Sequence, residues 1–262
     1  MRLTVVGCSG SLAGPGSPAS CYLVSTEHEG RTWRLVLDLG NGSLGALQRH
    51  VDLRDIDAVV ISHLHPDHCV DLCGLYVAQR YDPRGPNPRP VPVHGPTGIA
   101  GRMARAYDLD DGEHMGAELD FREMQDRAGF EVGPFRVTPF LVNHPVEAYG
   151  LRVEHYGRAL AYSGDTDSCE NLIELARGAD LLLAEAAFQE GRDDVRGVHL
   201  TGLRAGQVAT QAGVHRLLLT HIPVWTDADV VQAEAAQVFS GPIEVARPLE
   251  SYVLAGFPAP TS

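Results

Sequence analysis

The sequence contains no lysine, because all 21 of its basic residues are arginine. Chemistry that requires a lysine, such as Schiff-base formation or phosphate binding by a Walker motif, is therefore excluded. The 34 acidic residues outnumber the basic ones and give a formal net charge of −13. A chain this acidic gains little affinity from neutralising the phosphates of a nucleic acid, so a duplex-binding module is not expected.

Long apolar runs are also missing, and no stretch of 18 apolar residues predicts a transmembrane helix. The N-terminus has a strand pattern over residues 3–6 and lacks the apolar segment and cleavage site of a signal peptide. The five cysteines are odd in number and unpatterned. These absences predict a cytoplasmic protein with reduced thiols and no association with a membrane.

What is present is the composition of a globular chain, 44% hydrophobic and 21% charged. Strand patterns rich in Val, Leu and Ile come first in hairpin-like pairs and then alternate with amphipathic helical patterns. This order predicts a layered α/β fold in which helices cover sheets. No linker divides the chain, so residues 1–262 are predicted to form a single domain.

Twelve histidines are many for an acidic chain, and three of them fall within six residues. A buried-strand pattern over residues 58–61 leads into His63, His65, Asp67 and His68. Imidazoles and carboxylates at this density are typical ligands of a divalent transition metal. In an extended backbone His63 and His65 point to the same side, and we expect Asp67 and His68 to face a second metal.

Three further metal-type residues, His144, Asp165 and His221, each follow an apolar strand pattern. Sites in layered α/β folds gather at the carboxyl ends of strands. Alone, each of these residues is more simply a capping residue or a hydrogen-bonded core residue. Together with the cluster at residues 63–68 they supply five histidines and two aspartates, a full ligand set for two metals.

In this order the residues resemble the metallo-β-lactamase superfamily, and the resemblance extends from Gly7 to His221. It implies an α/β fold of four layers, the αββα sandwich. It also implies two divalent metal ions, zinc first and manganese or iron as alternatives, held by seven residues. By this resemblance, one ion is held by His63, His65 and His144, and the other is held by Asp67, His68 and His221. The bridging ligand between the two ions is Asp165.

A second motif narrows the resemblance. His199, in Gly-Val-His-Leu-Thr before a helical pattern over residues 202–212, is similar to the histidine motif of ribonuclease Z and related phosphodiesterases. In that branch the histidine acts on the phosphate. Residues 181–188 resemble the same branch's His-Glu-Ala-Thr segment only at Glu185. His199 is otherwise a surface residue beside a helix cap, and Glu185 is either its orienting partner or an ordinary strand-end carboxylate.

Two aspartates are candidates for supporting roles. Asp71, three residues after His68, either hydrogen-bonds a ligand imidazole or is an acid in the first turn of a helix. Asp38 follows a strand pattern, and we expect it to hold the loop around the site rather than to take part in catalysis.

The resemblance implies hydrolysis of a phosphodiester. In such a reaction the two metals would supply the hydroxide that attacks phosphorus, Asp67 would accept its proton, and His199 would donate a proton to the leaving oxygen. Ribonuclease Z grips tRNA with a basic arm between the positions matching His144 and Asp165. Here that interval contains only Arg152 and Arg158 as cations, so we expect a small phosphodiester rather than a long nucleic acid.

Residues 6–11, 17–22 and 68–76 are similar to bacterial cyclic-nucleotide phosphodiesterases of this fold. The predicted substrates are therefore 3′,5′-cyclic nucleotides, cAMP first, hydrolysed to 5′-monophosphates. Three alternatives stay open: a tRNA 3′-processing endoribonuclease, a metal-dependent acyl hydrolase such as a lactonase or thioesterase, and a non-catalytic metal-binding protein. The superfamily often forms homodimers, although the sequence reveals no interface.

Overall fold

Two β-sheets pack face to face and carry helices on their outer faces, in a computed structural model that describes residues 1–109 and 114–254. In space the first sheet has the order β14-β1-β2-β3-β4-β5-β6, and its strands from β3 to β6 are parallel. In chain order these strands are β1 (Arg2–Gly7), β2 (Cys21–His28), β3 (Arg31–Leu37), β4 (Ala58–Val60), β5 (Val91–Gly95), β6 (Leu119–Glu123) and β14 (Ser251–Val253).

The second sheet has the order β13-β12-β11-β10-β9-β8-β7. Its strands from β7 to β10 are antiparallel neighbours, and those from β10 to β13 are parallel. In chain order they are β7 (Phe130–Val132), β8 (Phe135–Leu141), β9 (Tyr149–His155), β10 (Arg158–Tyr162), β11 (Leu181–Glu185), β12 (Leu217–Thr220) and β13 (Ile243–Val245).

The helices form the two outer layers. The first four pack on the first sheet and the last three on the second. They are α1 (Ser43–Leu47), α2 (Pro66–Cys69), α3 (Leu72–Tyr81), α4 (Ile99–Ala106), α5 (Glu170–Ala176), α6 (Gly202–Ala212) and α7 (Ala228–Ala236), with a short 3-10 turn at Leu53–Asp55. No helix within residues 1–109 and 114–254 is both long and apolar enough to cross a membrane.

Successive side chains of a strand point to opposite faces of its sheet, and this alternation explains the layers. In β3, Leu35 and Leu37 face the core between the sheets, whereas Val36 faces the helices. In β11, Leu183 faces the same inter-sheet core and Leu182 packs under the helices on the other side. Strands covered on both faces need continuous apolar runs, which these segments have. The predicted αββα sandwich is confirmed.

Candidate metal centre

The predicted metal-type residues come together at the carboxyl ends of strands from both sheets. Residues 63–68 follow β4 of the first sheet, while Asp165, Glu185 and His221 lie at the ends of β10, β11 and β12. Those three strands are parallel neighbours, so their ends share one edge of the second sheet. His144, just beyond β8, reaches the same cluster.

A change from extended to helical backbone directs the ligands of the first sheet. His65 is extended, with φ −69° and ψ 146°, and Pro66 begins α2, a position that suits its fixed φ and missing N–H. Asp67 and His68 are thereby turned inward and are buried. Gly40 lies against this helix, since a Cβ on it would be 1.9 Å from the carbonyl oxygen of Asp67.

The first group of side chains comprises His63, His65, His144 and Asp165, which offer one ligand atom each within 4.8 Å of the others. Nε2 of His63 lies 2.9 Å from Nδ1 of His65, and Nε2 of His144 lies 3.4 Å from the same Nδ1. Oδ2 of Asp165 is 3.6 Å from Nε2 of His63. Three imidazoles and a carboxylate therefore converge, as in a divalent transition-metal site.

The second group comprises Asp67, His68, Asp165 and His221, again with one ligand atom each within 4.8 Å of the others. Oδ1 of Asp165 lies 3.2 Å from Nε2 of His68, and its Oδ2 lies 3.3 Å from Nε2 of His221. Oδ2 of Asp67 is 3.4 Å from Nε2 of His68. Asp165 belongs to both groups, which is the geometry expected of a bridging ligand.

Two buried atoms in this cluster lack a well-formed hydrogen bond within the protein. Nε2 of His68 and Oδ1 of Asp165 lie 3.2 Å apart, but neither makes a hydrogen bond, to the other or to any other described residue. Such buried polar atoms are rare in folded proteins. Coordination to a cation would satisfy both, and a set of imidazole and carboxylate donors is one that zinc accepts. The side chains present therefore fit two divalent metal ions.

Electrostatics within the cluster also favour a carboxylate ready to bind a cation. Burial raises the pKa of Asp165, but the neighbouring His221, His68 and His63 lower it well below its usual range. Burial lowers the pKa of His68, but the carboxylates of Asp165 and Asp38 raise it well above the usual value. The anionic charge of Asp165 is thus maintained deep in the protein by the groups around it.

Asp38 orients a candidate ligand as well as holding a loop. Its buried carboxylate accepts hydrogen bonds from the backbone N of Ser62 at 2.6 Å, the Ser62 hydroxyl at 2.8 Å and the Tyr162 hydroxyl at 2.6 Å. Nδ1 of His68 lies 2.7 Å from the same carboxylate, so Nε2 faces the cluster. A partner of this kind fixes the ring and the tautomer of a metal-binding histidine. The predicted loop-holding role of Asp38 is therefore incomplete.

Two other candidate ligands have similar partners on their second ring nitrogen. Nδ1 of His221 lies 3.0 Å from the hydroxyl of Ser20, and Nδ1 of His144 donates to the carbonyl of Val198 at 2.9 Å. The backbone of His221 is left-handed, with φ 55°, and so is that of Asp38, with φ 58°. Left-handed backbone at residues other than glycine is uncommon and clusters at functional sites.

His199 stands beside the metal-type cluster and is held by Glu185. Its Nδ1 lies 2.9 Å from Oε1 of Glu185, and the two residues form a third close group with Asp165. Glu185 is fixed in turn by the backbone N–H groups of Thr166 at 2.9 Å and Ala187 at 3.1 Å. Burial lowers the pKa of His199, but the charge of Glu185 raises it to about 9. Glu185 is thus hydrogen-bonded to His199 and is itself held in position by the backbone.

Asp167 anchors the segment that carries His199, and the sequence analysis did not find it. Its buried carboxylate accepts from Arg204 at 2.7 Å, Arg196 at 2.6 Å and the backbone N of Gly197 at 2.8 Å. Arg204 also donates to the carbonyl of His199 at 3.1 Å. The His199 segment is thus tied to the strand end that presents Asp165.

The structure gives Asp71 a partner that neither sequence interpretation names. Its Oδ2 accepts a hydrogen bond from the backbone N of Leu44 at 2.8 Å, in the first turn of α1. Asp71 also stands at the N-cap of α3, where an acid is favourable, but its side chain makes no cap hydrogen bond there. Gly42, which precedes α1, is left-handed and offers no side-chain cap. A carboxylate distant in sequence therefore satisfies a free N–H group of α1, and no hydrogen bond joins Asp71 to an imidazole among the described residues.

Several residues around the cluster were missed, namely Ser20, Ser62, Tyr162, Asp167 and Arg204. Ser62 directly follows a buried apolar run and is itself fully buried. A small hydroxyl placed between a strand and a histidine cluster is the one signal that sequence reasoning had available. Asp167 and Arg204 are 37 residues apart, and no local pattern links them.

The sequence of this chain matches a known family and several known proteins. Residues 34–222 match the family described as the beta-lactamase superfamily domain. An uncharacterized protein of Mycobacterium tuberculosis is 45% identical over 93% of this chain and 88% of its own length. A ribonuclease Z of Mycolicibacterium gilvum is 30% identical over 80% of this chain and 82% of its own length.

A relative with a solved structure supports the same assignment. YhfI of Bacillus subtilis, a probable metallo-hydrolase, is 28% identical over 94% of this chain and 97% of its own length. Its crystal structure, of a metallo-beta-lactamase fold protein, matches with a TM-score of 0.84 and covers 96% of this chain and 99% of that one. The chain belongs to the beta-lactamase superfamily and is a metal-dependent hydrolase.

Proposed function

We propose that this protein is a dinuclear metal-dependent phosphodiesterase that hydrolyses 3′,5′-cyclic nucleotides, cAMP first, to 5′-monophosphates. The observation that carries the proposal is the junction at Asp165. Two groups of metal-type side chains meet there, and the His199–Glu185 pair lies against it. Phosphoryl transfer needs charge neutralisation beside the phosphate and a proton for the leaving oxygen, and this junction combines both.

The roles of the residues follow from their positions. Two divalent ions, zinc by preference, would be held by the two groups and would supply Lewis-acid activation of the phosphate and of water. Asp67 would accept the proton of the attacking water. Glu185 occupies Nδ1 of His199, which leaves Nε2 of His199 to donate a proton to the leaving oxygen.

The interval between His144 and Asp165 favours a small substrate over RNA. It is taken up by β9 and β10, which pair as a tight hairpin from Arg158 opposite His155 onward. Arg152 is bound to Glu154 at 3.0 Å and Arg158 pairs with Asp180 at 3.4 Å. Neither cation is available for an RNA backbone, and the net charge of −13 repels a polyanion.

A tRNA 3′-processing endoribonuclease is the second candidate, because a ribonuclease Z is among the relatives at 30% identity. Both activities break a phosphodiester and would use the same side chains. They differ in the size of the substrate, so they separate experimentally. An acyl hydrolase would use the metals without His199, and a purely metal-binding role would need no substrate.

The test is a substrate panel with protein of measured zinc content. cAMP, cGMP, 2′,3′-cyclic nucleotides, bis(p-nitrophenyl) phosphate and a tRNA precursor with a 3′ trailer are compared under the same conditions. We expect turnover of cAMP to exceed that of the tRNA precursor. Cleavage of the precursor alone transfers the assignment to a nuclease, and turnover of none of the five rejects the phosphodiesterase.

A further inference from the structure

A cavity of about 560 Å³ opens at the amino-terminal ends of β3, β4 and β5. Its walls are the start of β3, the turn at residues 54–57 before β4, and residues 87 and 89–92 at the start of β5. The metal-type cluster follows the opposite ends of these parallel strands. The length of β3 separates the two places by roughly 20 Å, at about 3.3 Å per residue.

The cavity is lined by cations in a protein that is otherwise strongly anionic. Four arginines but only two aspartates contribute to its walls, and none of these groups belongs to the metal-type cluster. They are Arg31, Arg34, Arg54 and Arg89, with Asp55 and Asp57. Since the whole chain has a net charge of −13, this is a local reversal of sign.

Two of the four guanidinium groups have full internal partners. Arg31 pairs with Asp57, and Asp57 also accepts from the backbone N of Arg34 at 2.7 Å. Arg54 donates to the carbonyl of Gly85 at 3.0 Å and lies 3.6 Å from Asp82. These contacts leave the charges of Arg31 and Arg54 offset within the protein.

The other two guanidinium groups keep donors available to a ligand. Nη1 of Arg34 donates to the carbonyl of Thr32 at 3.3 Å and lies 3.9 Å from the carboxylate of Asp55, which is itself 59% exposed. The other donors of this guanidinium have no partner among the described residues. Arg89 is exposed, and no carboxylate pairs with its guanidinium among the described residues. Arg34 and Arg89 come from different chain segments, so they present two separate cationic forks to one cavity.

The ring of Trp33, at the wall of the cavity, is covered by other residues and offers no stacking surface to a ligand. The guanidinium of Arg31 lies 3.8 Å from the centroid of its ring. Gly133 packs so closely on the benzo ring that a Cβ would be 2.2 Å from Cε3. An aromatic ligand therefore has no free ring to stack on. Nε1, at the opposite edge of the indole, is buried without a hydrogen-bond partner among the described residues.

We propose that this cavity is a second ligand site, which binds a small molecule carrying two phosphate groups. Guanidinium groups match the oxygens of phosphate, and two such groups with free donors suit a ligand with two anionic groups. The volume lies within the range of small-molecule sites, roughly 300–1,000 Å³. The site is independent of the proposed phosphodiesterase activity, because the residues and the sheet edge are different.

The test is calorimetric titration of the metal-loaded chain with fructose 1,6-bisphosphate. This probe carries two phosphate monoesters and no diester, so it is not a substrate of the proposed reaction. We expect one molecule bound per chain and binding at least about tenfold weaker in R34Q/R89Q, since charge-assisted hydrogen bonds to phosphate are lost. The matched control is R49Q/R136Q, which removes two exposed arginines outside the cavity.

The outcomes separate clearly. Unchanged binding in R49Q/R136Q with weakened binding in R34Q/R89Q supports the site, provided that both variants keep the thermal midpoint of the parent. Equal binding by the parent and R34Q/R89Q places the probe elsewhere, for instance on the metals, and overturns the proposal. So does the absence of binding by the parent at millimolar probe.

Discussion

His199 is the side chain through which the proposed reaction is most directly tested at the residue scale. It touches Glu185 by one nitrogen and has no place in either four-residue metal group. His199→Ala should therefore retain both metals but lose a proton donor. We expect turnover of cAMP to fall roughly 100-fold or more, the usual contribution of general acid catalysis. Steady-state kinetics with zinc measured on the same sample checks this.

Two further variants give this prediction its controls. Glu185→Gln keeps an acceptor for Nδ1 of His199 but removes the charge, so kcat should drop more than KM changes. His215→Ala removes a half-exposed histidine outside the site and should leave kcat unchanged. A His199→Ala variant that turns over cAMP at the parental rate would show that this residue is not the donor.

His94 carries a residue-scale prediction about stability. Its ring stacks on Phe130 with 3.8 Å between centroids, and its Nε2 is buried without a partner among the described residues. Burial lowers the pKa of His94 to about 4. The unfolded chain, with an ordinary histidine pKa of about 6.5, therefore binds a proton that the folded chain resists.

The sign of the pH dependence follows from this difference. The neutral ring stabilises the fold above pH 6.5, and this contribution falls as the pH drops toward about 4. Between pH 7 and 5 the loss from this group is about 2 kcal/mol. In His94→Phe, compared with the parent at equal metal loading, urea unfolding should show that much less acid sensitivity. Parallel pH profiles of the two proteins would contradict it.

At the scale of elements, the junction between α6 and the end of β10 depends on one buried ion pair. Arg204, 7% exposed, and Arg196, whose side chain is 65% exposed, both pair with Asp167. Arg204→Gln should lower the free energy of unfolding by about 3 kcal/mol, because the buried carboxylate of Asp167 loses the buried one of its two arginine partners. Arg196→Gln should cost less than about 1 kcal/mol, since an exposed pair is screened by water.

Activity provides a second readout for the same pair of variants. Arg204 also holds the carbonyl of His199, so Arg204→Gln should lower kcat at temperatures where the variant remains folded. Arg196→Gln should leave kcat near the parental value. Equal effects of the two substitutions on denaturant unfolding and on kcat would reject the anchoring role assigned to Arg204.

The same scale decides how much of the fold the sequence predicts. β4, β11 and β12, which position the site, are fully buried apolar runs, a pattern that predicts strands. β7, β13 and β14 are as short as β4, at three residues each, but are not continuous apolar runs, so neither a run nor a period marks them. β6, Leu119–Glu123, begins with alternating apolar and charged residues, but its place in the sheet is set by parallel pairing with the distant β5. The partner of a strand, unlike its alternation of apolar and polar residues, cannot be predicted from the local sequence.

In the candidate site, too, some residues can be predicted from the local sequence and others cannot. His63, His65, Asp67 and His68 were recognised because one short segment holds them all. The hydrogen-bond partner of Asp71, the N–H of Leu44, could not be predicted because it is 27 residues away. Helix α1 starts without a cap of its own, and tertiary structure supplies one. Ligands that lie close together in the sequence can therefore be predicted from it, whereas the groups that orient them are brought into place by the fold.

At the scale of the whole molecule, the negative charge of the chain contrasts with the positive charge that bound metals would bring to the site. The chain carries a formal charge of −13, yet the candidate metal centre would concentrate two divalent cations where the two sheets meet. A small anion can reach such a centre without lying along the acidic surface, whereas a polyanion cannot. This contrast is the reason to expect a cyclic nucleotide before RNA.

The metals should also join the two sheets, because their candidate ligands follow β4 in one and β8, β10 and β12 in the other. Ions that bind only the folded chain stabilise it by about 2.7 kcal/mol at a free concentration of 100 times Kd. For a chain of this length that raises Tm by roughly 5–10 °C. Differential scanning fluorimetry of chelated protein before and after addition of zinc measures the shift.

Asp165→Asn is the variant that makes this thermal prediction specific. Asp165 is the only residue shared by the two four-residue groups within the described part of the chain, so an amide in its place weakens both sites at once. Zinc should then raise Tm much less than in the parent, while His215→Ala keeps the full shift. Elemental analysis should find two zinc ions per parental chain. A single ion, or an equal thermal shift in Asp165→Asn, would contradict a centre in which one carboxylate bridges two metals.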